Sequence, residues 1–400
     1  MKVNISVFGR FHAFNLAQQL KKYNVLNKLI TTYPKFKVKK WDLKDKDIET
    51  ELLLEVLRRY SQKIPLIDNE LLVNFGKKIH AKNNIKYLKE CDIFVGWSGA
   101  SLETIVEAKK QDKISIVVRG SSHYNYQMDI LKEEYSLINK EFNPNILHWQ
   151  RELLEYELAD YIQVNSSFVK RTFIEQGIPE EKIIMINTGV DLKEFQQTQK
   201  DDNIFRIIFA GRGSLRKGYH YLLEAVYELN LDLEVWHLGS IDEEIQPFLD
   251  KYKTEKWILK GHKPQKELYK YYSQGSVFVL PSLEEGLAMV QAQAMACGLP
   301  LICTTNTGGE DFISKDGKEG FVVPIRDVEA LKEKILYLYE NQDIAKEMGQ
   351  NAKQTISIGY TWDDYGNKIV EKYKKIEINK CGEFNEQFAK GFYNATLEDI

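Results

Sequence analysis

The chain has 400 residues, 43% of them apolar and 28% charged, enough length for two sizeable domains and too much apolar content for intrinsic disorder. A net charge of −3 and the lack of any nucleic-acid module argue against a nucleic-acid partner. Cys91, Cys297, Cys303 and Cys381 form no CxxC pair and are too few for a disulfide framework; with no secretion signal and no run of ~18 apolar residues, a cytoplasmic protein is expected. Charge is uneven: residues 1–100 hold 19 basic against 10 acidic side chains, many of them in 35–40 and 77–89. Interleaved lysines and apolar residues suit peripheral contact with an anionic membrane, although a plain solvated face would look the same.

In chain order, strands are expected at 3–8, 93–96, 114–118, 161–164 and 183–186, with helices such as 14–22, 49–60 and 150–158 between them. A polar, aperiodic stretch at 191–203 reads as a linker. A second strand series follows at 205–210, 233–238, 257–260, 277–280, 301–303 and 321–323. Alternation of this kind predicts an α/β protein built from parallel sheets, with ligands at the carboxyl ends of the strands. The expected domains are 1–195, 203–360 and a helical segment 361–400 packing back toward the first.

Two strand ends carry candidate chemistry. After 205–210 comes a glycine-hinged turn, Gly211 to Gly218, holding Arg212, Arg216 and Lys217; it completes neither a P-loop nor a GxGxxG fingerprint. Such cations suit a diphosphate, while an ordinary turn with solvated cations would read alike. After 277–280 comes Glu284-Glu285-Gly286-Leu287-Ala288, and an Ala-rich helix is expected from about Gly286 to the Gly298-Leu299-Pro300 stop. Free N–H groups at that helix start could hold phosphate oxygens, with Gly286 permitting close approach, and Glu285 could accept sugar hydroxyls or merely cap the helix.

From about Asp160 to Trp362 the chain resembles the family 4 glycosyltransferases. The resemblance rests on Ala159-Asp160-Tyr161 with Ser166-Ser167, Gly177-Ile178-Pro179, Gly189-Val190-Asp191 with Phe195, and Gly211-Arg212 with Lys217-Gly218. It continues in Gly261-His262, Pro281-Ser282, Glu285-Gly286, the run from Ala294 to Pro300, and Gly308-Gly309-Glu310-Asp311. It implies the GT-B fold, two doubly wound Rossmann-like domains facing a central cleft. The implied activity is retaining transfer of a sugar from a nucleoside-diphosphate sugar to a hydroxyl of a saccharide or lipid-linked glycan, as in cell-surface polysaccharide synthesis. No metal or other cofactor is implied.

By the same resemblance Arg212 and Lys217 bind the diphosphate and Glu285 the donor sugar, with Gly211, Gly286, Leu287 and Ala288 contributing to the donor site. Gln293 stands eight positions after Glu285, where the family carries a ribose-binding Glu; eight helical residues would rise ~12 Å, roughly the span from sugar to ribose. Gly9 matches the family's glycine loop after the first strand, His12 lies just beyond it, and His123 matches a catalytic His of the cleft. A sugar-nucleotide epimerase of the same fold and a non-catalytic sugar-nucleotide-binding scaffold are the alternatives.

Overall fold

The computed structural model describes residues 1–61 and 69–395, with side chains up to Lys380, so Cys381 lies outside the described side chains. A first sheet contains β1 (Val3–Val7), β2 (Leu26–Thr31), β3 (Ile48–Thr50), β4 (Ile93–Trp97), β5 (Ile114–Val118), β6 (Tyr161–Val164) and β7 (Ile183–Met185), in the order β3-β2-β1-β4-β5-β6-β7. Helices α1 (Ala13–Lys22), α2 (Lys35–Val38), α3 (Leu52–Tyr60), α4 (Asn69–Asn84), α5 (Leu102–Lys110), α6 (Tyr124–Leu137), α7 (Ile146–Leu158) and α8 (Ser167–Glu175) alternate with these strands. A second sheet contains β8 (Arg206–Ala210), β9 (Glu234–Leu238), β10 (Trp257–Leu259), β11 (Val277–Leu280), β12 (Leu301–Thr304) and β13 (Gly320–Val323), in the order β10-β9-β8-β11-β12-β13. With it go α9 (Tyr219–Leu229), α10 (Gln246–Tyr252), α11 (Leu268–Tyr272), α12 (Met289–Ala296), α13 (Val328–Glu340) and α14 (Gln342–Ser357), and α15 (Trp362–Ala395) follows them in the chain.

Both sheets are doubly wound. The strand order reverses between β1 and β4 in one and between β8 and β11 in the other, the switch points where such sheets hold ligands. Every residue of β1, β4, β5, β8 and β11 is buried, as helices on both faces of a parallel sheet require, which is why these strands are mostly apolar, with Asn4, Ser6, Ser115 and Arg206 as the buried polar exceptions.

Two strands, β2 and β3, have no counterpart among the expected elements. Asn27 and Lys28 interrupt the apolar run of β2, whose first three residues are only half buried. β3 is a three-residue edge strand beside β2, and it takes Ile48–Thr50 from the helix expected over 49–60, which begins at Leu52 instead. Pairing at a sheet edge here overrides local helical periodicity.

The chain forms two compact units, each discontinuous in sequence. The first comprises Met1–Val118, Asn145–Gln163 and the chain from Gly366 onward; the second comprises Arg119–Pro144 and Val164–Tyr365. In the first, α15 lies close to α1 and β6: Gly366 abuts Gln19, Tyr23 donates to Asn367, and Tyr373 Oη donates to Gln163 Oε1 at 2.6 Å. In the second, the stretch 191–203 is bound along its length. Thr198 N–H donates to Ser273 Oγ and Asp201 N–H to Gln274 Oε1, both at 2.9 Å. Among the described residues no helix is long and apolar enough to cross a membrane.

In the first unit the loop after β4 is fixed from within. Glu155, fully buried on α7, accepts the N–H groups of Ser101 at 2.7 Å, Leu102 at 2.9 Å and Gly99, and so caps the N-terminus of α5. Removing that acceptor strands three donors, at ~1–3 kcal/mol for each buried group left unmatched. Glu155→Ala should therefore lower the unfolding free energy by about 3 kcal/mol or more in urea denaturation, whereas a loss under about 1 kcal/mol would show that water replaces the carboxylate.

Candidate functional site

The second unit brings three loops together at strand ends: 211–218 after β8, 281–288 after β11, and 119–123 after β5. The first is a tight basic turn. Gly211 N–H donates to Leu238 O at 2.9 Å, and Gly213 exchanges backbone hydrogen bonds with the chain after β9, its N–H to Ser240 O and its carbonyl from Asp242 N–H. His237 Nε2 donates to Gly211 O at 2.9 Å, so its Nδ1 accepts the Tyr219 hydroxyl at 3.0 Å; burial holds this imidazole below its usual pKa, neutral. A Cβ at Gly239 would overlap Gly211 O, and one at Gly218, where φ is +59°, would overlap Pro281 O. These glycines let the basic turn lie against its neighbours.

The turn is joined to the loop after β11 by Leu283 N–H donating to Arg216 O at 2.9 Å. There Arg216 Nη1 meets Glu285 Oε1 at 2.9 Å, Glu284 Oε2 at 3.3 Å and the Glu284 carbonyl at 2.7 Å, while Lys217 Nζ pairs with Glu285. Glu285, foremost, and then Glu284 raise the Arg216 pKa against the penalty of burial. Arg212 stands apart from this cluster, 67% exposed and 3.5 Å from Asp242. Lys217 and Glu285, expected together, are together; Arg216 rather than Arg212 is the second cation on the carboxylate pair.

Glu284 carries an organising role that the sequence reading did not assign. It has no exposed surface and accepts from Ser121 Oγ at 2.7 Å, Ser122 N–H at 2.9 Å, Ser122 Oγ at 2.8 Å and Gln127 Nε2 at 2.7 Å, as well as from Arg216. Burial alone would raise its pKa; Arg216 and the Ser121 and Ser122 hydrogen bonds outweigh it and hold the carboxyl below the usual range. The paired acids contained the signal. Consecutive residues on extended backbone point opposite ways, so if Glu285 faces a ligand, Glu284 faces inward and needs its own donors.

The helix after this loop starts later than expected. α12 begins at Met289, and Ala288 is extended (φ −67°, ψ 108°), so 285–288 is a lead-in rather than a first turn. The backbone is pinned in that shape: Glu285 N–H donates to Asn306 O at 2.8 Å, and Ser166 Oγ donates to Gly286 O at 2.7 Å. A Cβ on Gly286 would overlap the Gly120 carbonyl, so the close approach expected of Gly286 is to the loop after β5. Leu287 and Ala288 are buried, and the helical spacing of Glu285 from Gln293 does not hold, since only the Met289–Gln293 part is helix. Gln293 is 6% exposed, with its Oε1 3.5 Å from the Tyr272 hydroxyl.

His123 closes the loop after β5. It caps α6, its Nδ1 accepting Asn125 N–H at 3.2 Å, which leaves Nε2 as the protonated nitrogen of the neutral ring; its N–H donates to Thr172 Oγ1 at 3.0 Å and its ring stacks edge-on against Phe173. Gly9 belongs to the first unit, where its φ of +121° turns the chain after β1 and its carbonyl accepts Thr31 Oγ1 at 2.6 Å. His12 lies beyond it, edge-on to Trp97, and burial pushes its pKa down to about 4. Among the described residues, no group of three or more His, Cys, Asp or Glu is placed to hold a metal ion.

With this geometry in view, residues 190–355 match the family model "Glycosyl transferases group 1". The matched stretch is thus similar to the group 1 glycosyl transferases. It contains both cations, both carboxylates and α12. The chain is 29% identical over 218 residues to a protein of Methanocaldococcus jannaschii named as an uncharacterized glycosyltransferase, covering 54% of this chain and 60% of that relative. It is 22% identical over 350 residues to the GtfA subunit of the UDP-N-acetylglucosamine–peptide N-acetylglucosaminyltransferase of Streptococcus pneumoniae, covering 81% of this chain and 61% of that relative. The chain thus spans about three fifths of the length of these relatives. Anabaena HepE, solved in complex with UDP-glucose, superposes with a TM-score of 0.69 at 15% identity, over 94% of this chain and all of HepE. The chain accordingly has a GT-B fold.

A carboxylate whose pKa is depressed by folding contributes stability above its unfolded pKa and loses it as pH falls through the folded value. Glu284→Gln should cost about 3 kcal/mol at pH 7, because Arg216 is left without its buried partner. The gap from the unsubstituted protein should narrow on acidification below the usual carboxylate range, as pH falls through the depressed folded pKa of Glu284. Urea titrations across that range test this; a gap that stays constant with pH would show that the Glu284 charge does not hold the loops.

Proposed function

We propose that the transferase domain binds a nucleoside-diphosphate sugar and transfers its sugar to a hydroxyl acceptor with retention of anomeric configuration. The carrying observation is the convergence of Arg216 and Lys217 on Glu285 at the carboxyl end of β11. Two cations and two carboxylates leave this cluster neutral, so an arriving diphosphate competes for the cations. Glu285 then turns to the sugar hydroxyls, while Glu284, anchored by four other hydrogen bonds, stays in place. Arg212, on the exposed side of the same turn, adds a further cation.

As the bond to the anomeric carbon breaks, negative charge grows on the departing diphosphate, and Arg216, Lys217 and the N-terminus of α12 stabilise it there. These cations supply the charge that a metal would otherwise bring, and no cofactor takes part. The acceptor hydroxyl attacks from the face the diphosphate leaves and gives it its proton, with His123 orienting the reactants and Gln293 meeting the ribose. The UDP-glucose bound by HepE supports a uridine donor. The acceptor is a saccharide or lipid-linked glycan of cell-surface polysaccharide synthesis. Exposed Phe36 among the lysines of 35–40 supports contact with an anionic membrane, and the free buried thiols of Cys91, Cys297 and Cys303 support a reducing, cytoplasmic setting.

Lys217→Ala should lower kcat by roughly a hundredfold and raise donor KM less, because the charge it meets is greatest in the transition state. Glu285→Ala should keep nucleoside-diphosphate binding and abolish transfer. Steady-state kinetics, with the product anomer read by NMR, check both; unchanged kcat in Lys217→Ala removes the cation from the mechanism, and an inverted anomer contradicts retention. Tight nucleotide binding with neither transfer nor donor hydrolysis would mark a binding scaffold.

A further inference from the structure

At the other edge of the second sheet, where strands begin, lies a cavity of about 460 Å³, within the size range of small-molecule sites. Phe205 and Ser276, which immediately precede β8 and β11, form its floor. The stretch 197–203 makes one wall, held there by its hydrogen bonds to Ser273 and Gln274. α14 makes another, presenting Gln342, Lys346 and Gln350 at four-residue intervals along one face. The transferase chemistry uses none of these residues.

The charged residues of the lining are Lys200, Lys346 and Asp202, and Asp202 is already paired with Arg206, which leaves the two lysines in excess. Lys200 Nζ donates to Ile204 O at 2.6 Å and Ser276 Oγ at 2.8 Å, both neutral acceptors, and among the described residues no carboxylate pairs with it. An ammonium has three donors, so one remains. Nearby Arg206 is already matched by Asp202 and Glu234, each at 2.8 Å. Burial foremost, then repulsion from Arg206, push the Lys200 pKa down to about 8, with Lys346 adding to the repulsion. Among the described residues Lys346 pairs with Asp343 at 3.2 Å, with side chains 76% and 99% exposed, and such a surface pair is easily exchanged. A multivalent anion entering the cavity would meet two ammonium groups without displacing a buried partner, and the amides around it offer the paired donors and acceptors that sugar hydroxyls need.

We infer that this cavity is a second binding site, for a small phosphorylated sugar, with Lys200 and Lys346 taking the phosphate and Gln342 and Gln350 the hydroxyls. It lies at the amino ends of the strands, away from the cluster at their carboxyl ends, and stands whether or not that cluster transfers sugar. Calorimetric titration of the full chain with glucose 6-phosphate, glucose 1-phosphate, inorganic phosphate and glucose tests it. A hexose phosphate should bind, at least roughly tenfold more weakly to Lys200→Gln and to Lys346→Glu, and unchanged to Lys217→Gln. Should Lys200→Gln fail to fold, Lys346→Glu, on an exposed helix face, still tests the site. No binding by either hexose phosphate at millimolar concentration, affinity unaltered in Lys346→Glu, or affinity lost in Lys217→Gln overturns the site. Inorganic phosphate binding as tightly as the hexose phosphates overturns its assignment to a sugar.

Discussion

The arrangement of the three loops at the strand ends depends on one buried carboxylate. Glu284 has no solvent contact, yet donors from the loop after β5, from α6 and from the basic turn after β8 all reach it. Taking a charge out of water costs several kcal/mol, and the ionised form persists only where its donors are supplied together. The cost thereby becomes a constraint: three loops distant in sequence must arrive in one arrangement. Once they do, Gly286 lies against the Gly120 carbonyl, Arg216 is held between two carboxylates, and Glu285 is left facing Lys217.

That constraint also explains why segment 119–144 groups with the second unit although its sequence position is in the first half. Besides Glu284, a second buried acid serves the same end. Glu134 on α6 accepts from His220 and Tyr221 on α9 and from Arg326, so α6 is tied to the second unit near both its ends. His123, at the head of α6, is thus placed by the same framework that places Glu285.

The strands at the centre of each sheet were legible because burial on both faces makes them rich in β-branched and other apolar residues, even where Asn4 and Ser6 interrupt β1. The two strands missed were β2, which contains Asn27 and Lys28, and its edge neighbour β3, three residues whose pairing with β2 no local pattern announces; the edge strands β7, β10 and β13 were expected. At these loops the pairing of Lys217 with Glu285 follows from residue type and position, whereas the contact of Arg216, rather than Arg212, with the carboxylates was not legible, because it turns on which side of a tight turn faces the loop after β11. The start of α12 at Met289 was hidden likewise, since the residues that hold 285–288 out of the helix, Asn306 and Ser166, are remote in sequence. Nor did the polarity of 191–203 disclose that hydrogen bonds to Ser273 and Gln274 make it a cavity wall.

The central claim is an exchange of partners: a diphosphate takes Arg216 and Lys217, and Glu285 is released to the sugar while Glu284 does not move. A crystal structure with a bound nucleoside-diphosphate sugar tests it most directly. The account predicts phosphate oxygens within hydrogen-bonding distance of Arg216 and Lys217, the Glu285 carboxylate on sugar hydroxyls, and the Ser121, Ser122 and Gln127 bonds to Glu284 intact. A donor bound with the Lys217–Glu285 pair unbroken, or one seated away from the loop after β11, would contradict it.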